Sequence, residues 1–174
     1  CKHLPGFMDE IINKVANSKL ITLNLEDYYP EGERVVFDVK NWLYEGLILK
    51  EKDFRESAKN YDWSQYKNTY VALNCSSEAI IPGWAYLLLT TYLSPFAKKI
   101  VVGSLTDLEN TLYTEIIQQT DFSDLKGLPV IIKGCSNKPV PDNASVLLIQ
   151  KIQPLVKSLF YGEACSSVPL FKRK

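Results

Sequence analysis

The chain has 174 residues, 46% of them apolar and 23% charged, and its twenty basic and twenty acidic side chains cancel. A chain of this size can bury a sizeable core without staples, and its balanced charge makes no broad field to gather nucleic acid or anionic lipid. No apolar run approaches the roughly 18 residues of a membrane span and no basic-then-apolar leader is read, so the expectation is a cytoplasmic protein with neither nucleic acid nor membrane as partner.

Residues 1–7 precede Met8, where a helical pattern begins, so Met8 is the expected natural start, 1–7 an upstream leader and 8–174 a single domain. On that reading the one histidine, His3, plays no part in acid–base or metal chemistry. Asp9 to Ser18 sets Ile11, Ile12, Val15 and Ala16 on one face and predicts a short helix. Leu20 to Leu25 alternates as a half-buried strand. Tyr29-Pro30-Glu31-Gly32 is turn chemistry. Arg34 to Val39 reads as a second strand, antiparallel to the first if that turn closes a hairpin. Gly46 marks a bend. Glu51 to Tyr61 predicts a helix burying Phe54, Ala58 and Tyr61, with its many charges on a solvated face.

From Tyr70 the rhythm changes. A strand over Tyr70–Asn74 leads to a helix over Ile80–Leu93, with Pro82 in its first turn. A strand over Lys99–Val102 leads to a helix opened by Ser104-Leu105-Thr106-Asp107, which has the form of a capping box. A third strand, Pro129–Lys133, is followed by a last helix over Ser145–Phe160, bent at Pro154. Alternating strands and helices of these lengths predict βαβ units, and the runs Val71–Leu73, Ile100–Val102 and Val130–Ile132 suit strands buried on both faces. The expected fold is a compact α/β domain with about three parallel strands and an N-terminal hairpin. No internal repeat is evident.

Three of the four cysteines carry the functional question, since Cys75, Cys135 and Cys165 are each followed by serine. Cys75 and Cys135 close predicted strands, whose carboxyl ends form the ligand-binding edge of an open parallel sheet. Cys165 reaches the same edge only if the chain beyond Gly162 turns back. A helix N-terminus just after Cys75, and Lys133 and Lys138 beside Cys135, would favour thiolates. Three thiolates would suit zinc or an iron–sulfur cluster, with Glu163, Glu78, Asp38, water or a visiting group as a fourth ligand and Ser76, Ser166 or Lys133 in support. Two other readings stay open: cysteine as a small core residue, and one reactive thiol handling sulfane sulfur. The spacings lack the force of a Cys-x-x-Cys pair.

Other chemistries find less support. No histidine serves a hydrolytic triad, and no glycine-rich phosphate loop is present. The acidic Glu26, Asp27, Glu31 and Glu33 read as a solvated turn. Trp42, Trp63, Trp84 and the tyrosines read as core, with an aromatic surface for a partner as the alternative.

Several segments together resemble an uncharacterised family of small bacterial proteins of the Bacteroidetes type. They are Tyr29-Pro30-Glu31-Gly32-Glu33-Arg34, Trp42-Leu43-Tyr44-Glu45-Gly46-Leu47, Asp62-Trp63-Ser64-Gln65-Tyr66, Lys133-Gly134-Cys135 and Tyr161-Gly162-Glu163-Ala164-Cys165-Ser166, where Ala164 stands in place of the family's proline. The resemblance covers nearly the whole chain from Met8. It implies a place near iron–sulfur cluster biogenesis, relatives being encoded beside sulfur-mobilisation genes, and iron–sulfur assembly proteins as partners. The resulting expectation is a cysteine-based metal or iron–sulfur protein, an accessory or carrier factor in cluster assembly. The alternatives are a non-catalytic interaction module and a thiol or persulfide enzyme.

Overall fold

The computed structural model describes residues 20–134 and 137–174; the expected leader and the helix over Asp9–Ser18 lie outside them. The described strands are β1 (Ile21–Leu23), β2 (Arg34–Asp38), β3 (Tyr70–Asn74), β4 (Lys99–Val102), β5 (Pro129–Ile132), β6 (Ser158–Glu163) and β7 (Ser166–Lys172). The described α-helices are α1 (Glu51–Asn60), α2 (Gly83–Leu93), α3 (Leu105–Gln119) and α4 (Asp142–Ile152). They fall into two compact units. One is Pro30–Thr111; the other joins the described residues up to Tyr29 with Leu112–Lys174, so the division lies inside α3.

In the unit Pro30–Thr111, β2, β3 and β4 form a wholly parallel sheet in that order. The α/β class with three parallel strands is thus as expected. The central strand is buried on both faces, with Val71, Ala72 and Leu73 inaccessible. Helix α1 turns Phe54 and Ala58 inward and α2 turns Ala85, Leu89 and Leu93 inward, the i, i+4 spacing of a buried stripe. Trp42, Tyr61 and Trp63 pack edge-on and stacked around Phe37, and Trp42 also meets Phe54 edge-on, while the Trp63 indole donates to the Ala58 carbonyl at 2.8 Å. Trp63 is therefore core, as expected, and Trp42 and Trp84 are half-buried against the same cluster. The capping box at α3 also forms: the Ser104 amide donates to Asp107 Oδ2 at 2.7 Å and the Asp107 amide to Ser104 Oγ at 3.2 Å.

In the other unit the order is β1-β5-β6-β7, parallel except for β7. Its core gathers Leu23, Tyr113, Val130, Ile132, Leu148 and Ile152. The Tyr113 hydroxyl donates to the Leu25 carbonyl at 2.9 Å.

Three expectations need correction. The hairpin between the first two strands does not form: Ile21 pairs with Val130 and Val35 with Val71, both in parallel ladders. The turn chemistry at Pro30 and Gly32 is local, whereas a parallel partner comes from beyond a crossover. The three apolar runs do not share one sheet either, since Val130–Ile132 belongs with β1 and β6. Finally, the last helix ends at Ile152, and Ser158–Glu163 is strand. Pro154 cannot continue the helix, and Leu159-Phe160-Tyr161 instead takes up the free side of β5.

An internal repeat, unseen in the sequence, organises both units. Val71 lies between Val35 and Ile100 as Val130 lies between Ile21 and Leu159. At the offset that separates these valines, the Lys98 amide donates to the Thr69 carbonyl and the Lys157 amide to the Leu128 carbonyl. The Asn68 amide donates to the Phe96 carbonyl and the Gly127 amide to the Leu155 carbonyl. Asn68 and Gly127 share a left-handed backbone, with φ of 62° and 74°. The buried Phe54, Trp63, Leu73, Leu89 and Leu93 recur as Tyr113, Phe122, Ile132, Leu148 and Ile152. Asn24 and Asp38 likewise both cap a 3-10 turn, accepting from the amide two residues on. Each unit is one copy of the same strand–turn–helix–turn–strand–helix–strand plan, and the Pro30–Thr111 copy is inserted into the other.

Candidate functional site

The parallel strands bring chemistry to their carboxyl ends. In the unit Pro30–Thr111, β2 ends on Asp38 and β3 runs into Asn74-Cys75-Ser76-Ser77. Asp38 Oδ1 accepts from the amides of Lys40 and Ser76, both at 3.0 Å, and Oδ2 accepts from the Ser76 hydroxyl at 2.6 Å. That hydroxyl, aided by the two amides and the Lys40 charge, holds the Asp38 carboxyl below its ordinary pKa. Asp38 thus latches the end of β2 to the loop after β3. The Asn74 side-chain amide similarly donates to the Gly103 carbonyl at the end of β4, 3.1 Å away.

Cys75 is half-buried, a free thiol whose Sγ lies 3.2 Å from Ser77 Oγ. Ser77 Oγ also accepts from the Ala79 amide at 3.3 Å, which leaves its proton for sulfur. Burial, then the charges Cys75 and Asp38 carry when ionised, push the Tyr86 phenol up. The expected stimulus to Cys75 is altered: α2 begins at Gly83, so Ser76–Pro82 separates the thiol from that helix N-terminus.

In the other unit, β6 turns back at Glu163-Ala164-Cys165-Ser166, with Glu163 paired to Ser166. The chain does reverse beyond Gly162, and it does so by a strand turn. Gly162 sits at φ 113°, and a Cβ there would lie 3.0 Å from the Ser166 carbonyl, so only glycine suits the turn. Because β6 runs parallel to β5, with Ile132 beside Tyr161, this turn stands at the carboxyl end of the sheet. Lys133 lines a polar cavity of about 60 Å³ there with Asn24, Glu26, Asp142, Ser145 and Tyr161. The Glu26 carboxylate is drawn into the fold, accepting from the amides of Asn137 and Lys138, so it is no idle turn charge.

The candidate ligands are therefore distributed. Cys75, Ser76, Asp38 and Glu78 belong to the unit Pro30–Thr111; Cys165, Glu163, Ser166 and Lys133 belong to the other; Cys135 lies outside the described residues. Cys165 is disulfide-bonded. Among the described residues no three His, Cys, Asp or Glu side chains gather as a metal site, and no helix is long and apolar enough to cross a membrane.

A second feature at the rim of the inserted unit escaped the sequence reading. Tyr44 to Ile48 folds into a tight loop, its ends bonded Tyr44 amide to Ile48 carbonyl at 2.8 Å and Ile48 amide to Tyr44 carbonyl at 3.1 Å. It exposes Leu47 and Ile48 beside the almost fully exposed Ile80. The sequence marks this loop by the bend at Gly46 and by the family segment Trp42-Leu43-Tyr44-Glu45-Gly46-Leu47, and neither points to an exposed apolar rim.

A family model described as a protein of unknown function (DUF2480) matches residues 9–173. No curated protein and no solved structure matches the chain.

Proposed function

We propose, for a chain that belongs to this family of unknown function, that its edge cysteines bind a soft metal centre, an iron–sulfur cluster or zinc, and that the protein serves cluster assembly as an accessory or carrier factor. The observation that carries the reading is the β6–β7 turn, which returns Cys165 to the carboxyl edge where β5 ends and the chain runs on toward Cys135. Thiolate donors suit both groups. Glu163 and Ser166 flank Cys165 in the same turn as an oxygen ligand and a hydrogen-bond donor to sulfur. Cys165 ligates only once its disulfide is reduced, so loading requires a reducing environment. Cys75, supported by Ser77, is the third thiol of the reading. When bound, the centre would supply a transferable cluster or a Lewis-acidic ion.

The test is anaerobic purification of the reduced full chain, followed by metal and acid-labile sulfide analysis and visible absorption. Stoichiometric metal that disappears in Cys135→Ser and in Cys165→Ser supports the proposal; retention in Cys75→Ser would confine the centre to the pair. Colourless, metal-free protein, unchanged in the triple serine variant, would overturn it.

A further inference from the structure

The inserted unit carries a groove walled largely by apolar side chains. The groove is open, about 620 Å³, and lies between the Leu47-Ile48-Leu49 side and the Ala79-Ile80-Pro82 side, with Trp84 also in its wall. Leu47 and Ile48 are 57% and 55% exposed, and Ile80 is 92% exposed. Exposed aliphatic side chains this close together mark an interaction surface.

The repeat shows that the fold does not need this groove. At the offset that pairs Pro82 with Pro141, Ile80 corresponds to Pro139 and Ala79 to Lys138. In that copy the loop is tied down by the Glu26 carboxylate, and the cavity beside it is small and polar. The tight loop bearing Leu47 and Ile48 has no counterpart there, because Tyr29 of that copy is followed directly by the inserted unit. The loop is also built rather than slack: Glu45, a non-glycine residue, is held left-handed at φ 51° and is followed by Gly46 at 72°.

Charge narrows the occupant. Among the described residues, the charged ones that line the groove are Glu51 and Glu78. Nearby cations are engaged with rings: Lys50 lies over Tyr44 at 3.6 Å, and Arg55 lies over Trp84 at 4.9 Å while also meeting Glu51. Glu78 has no ion-pair partner among the described residues. We infer that this groove docks a partner protein through a short segment carrying two or three large apolar side chains next to a lysine or arginine. The apolar side chains fill the space between Leu47, Ile48 and Ile80, and the cation meets Glu78.

The test uses the full chain and three synthetic peptides followed by fluorescence anisotropy: one of leucine and phenylalanine flanked by lysines, one with glutamates replacing the lysines, and one with serines replacing the apolar residues. The first should bind in preference to both others. Ile80→Ser and Leu47→Ser should each weaken it about tenfold, and Glu78→Lys should shift the preference toward the acidic peptide. These positions are exposed, and an unchanged thermal melt of each variant confirms that folding is intact. Failure of the basic peptide to bind, equal binding of the acidic one, or indifference to Ile80→Ser would each overturn the inference. So would a concentration-dependent dimer abolished by Ile80→Ser, since a second copy would then be the occupant. None of these outcomes depends on the cysteines.

Discussion

Removal of Glu109 tests how the inserted unit holds its first strand. Arg34, at the start of β2, reaches Glu109 with two nitrogens, Nη2 at 2.9 Å and Nε at 3.1 Å from Oε1. The two side chains are 12% and 5% exposed, so this is an ion pair largely withdrawn from water. Arg34 Nη1 also donates to the Pro30 and Gly32 carbonyls at 2.6 and 2.7 Å, and the guanidinium lies 4.9 Å from the Tyr70 ring centre. Breaking a buried pair from one side costs about 3–5 kcal/mol, because the remaining charge is left without compensation. The two carbonyls and the ring still hold Arg34, which places Glu109→Ala at the lower end, about 3 kcal/mol. At roughly 2–4 °C per kcal/mol for a chain of this length, the melt should fall by roughly 6–12 °C. Urea unfolding of Arg34→Met, Glu109→Leu and the double variant would isolate the pair term. The double variant should be less damaged than Glu109→Ala, since two apolar side chains leave no stranded charge. A coupling below about 0.5 kcal/mol, the range of exposed pairs, would refute this account of a desolvated anchor.

Two further predictions follow from the repeat and from the Asp38 latch. Leu89 and Leu148 occupy equivalent, inaccessible positions in the two cores, so Leu89→Ala and Leu148→Ala should cost similar amounts, each about 2–5 kcal/mol by chemical denaturation; a loss under about 1 kcal/mol at either position would deny that core its proposed role. Ser76→Ala should raise the Asp38 pKa toward its ordinary value, read by carboxyl-carbon titration, because the Ser76 hydroxyl is the main cause of its depression. A carboxyl depressed in the folded state adds stability above its unfolded pKa and loses it as pH falls through the folded value. The variant should therefore show less acid-side dependence than the parent below the ordinary carboxylate range, and an unmoved Asp38 titration would contradict the latch.

How far the sequence disclosed this structure depends on whether each signal was local. The buried runs Val71–Leu73 and Val130–Ile132, the stripe through Phe54 and Ala58, and the Ser104–Asp107 box are written in neighbouring residues, and all were legible. The partner of β1 was not, because Ile21 pairs with Val130 across the whole inserted unit, and nothing near Ile21 names so distant a neighbour. Tyr29-Pro30-Glu31-Gly32 promised a hairpin because turn residues record a change of direction without recording which strand follows alongside. A proline such as Pro154 serves equally as a bend within a helix and as a stop just beyond its end, and only the pairing of Leu159-Phe160-Tyr161 with β5 decides for the stop. At the candidate site, the carboxyl-edge placement of Cys75 was legible from strand followed by loop. The return of Cys165 was not, because it depends on β7 pairing back onto β6.

The repeat hid for a related reason, and its concealment bears on function. Asp62, Ser64, Lys67, Val71, Pro82, Ala85, Pro95, Lys98 and Gly103 recur as Asp121, Ser123, Lys126, Val130, Pro141, Ala144, Pro154, Lys157 and Gly162. These are cap, turn, core and helix-end positions, dispersed among unlike residues, so no continuous motif repeats. Their distribution separates what the scaffold demands from what each copy adds. Elsewhere the two sequences part: at the same offsets Asp38 answers to Asn24, Ser76 to Cys135, Tyr86 to Ser145, and Ile80 to Pro139. A scaffold that folds with either member of each pair does not require the other, so the divergent residues are free to serve chemistry or recognition. The docking groove rests on such divergent positions of the inserted copy, and the proposed cysteine centre draws on Cys75 of that copy and on Cys135 and Cys165 of the other. Exchanging Leu89 for the isoleucine or methionine that a core tolerates should leave both untouched, whereas Pro139→Ile should extend exposed apolar surface on the second copy without altering its fold.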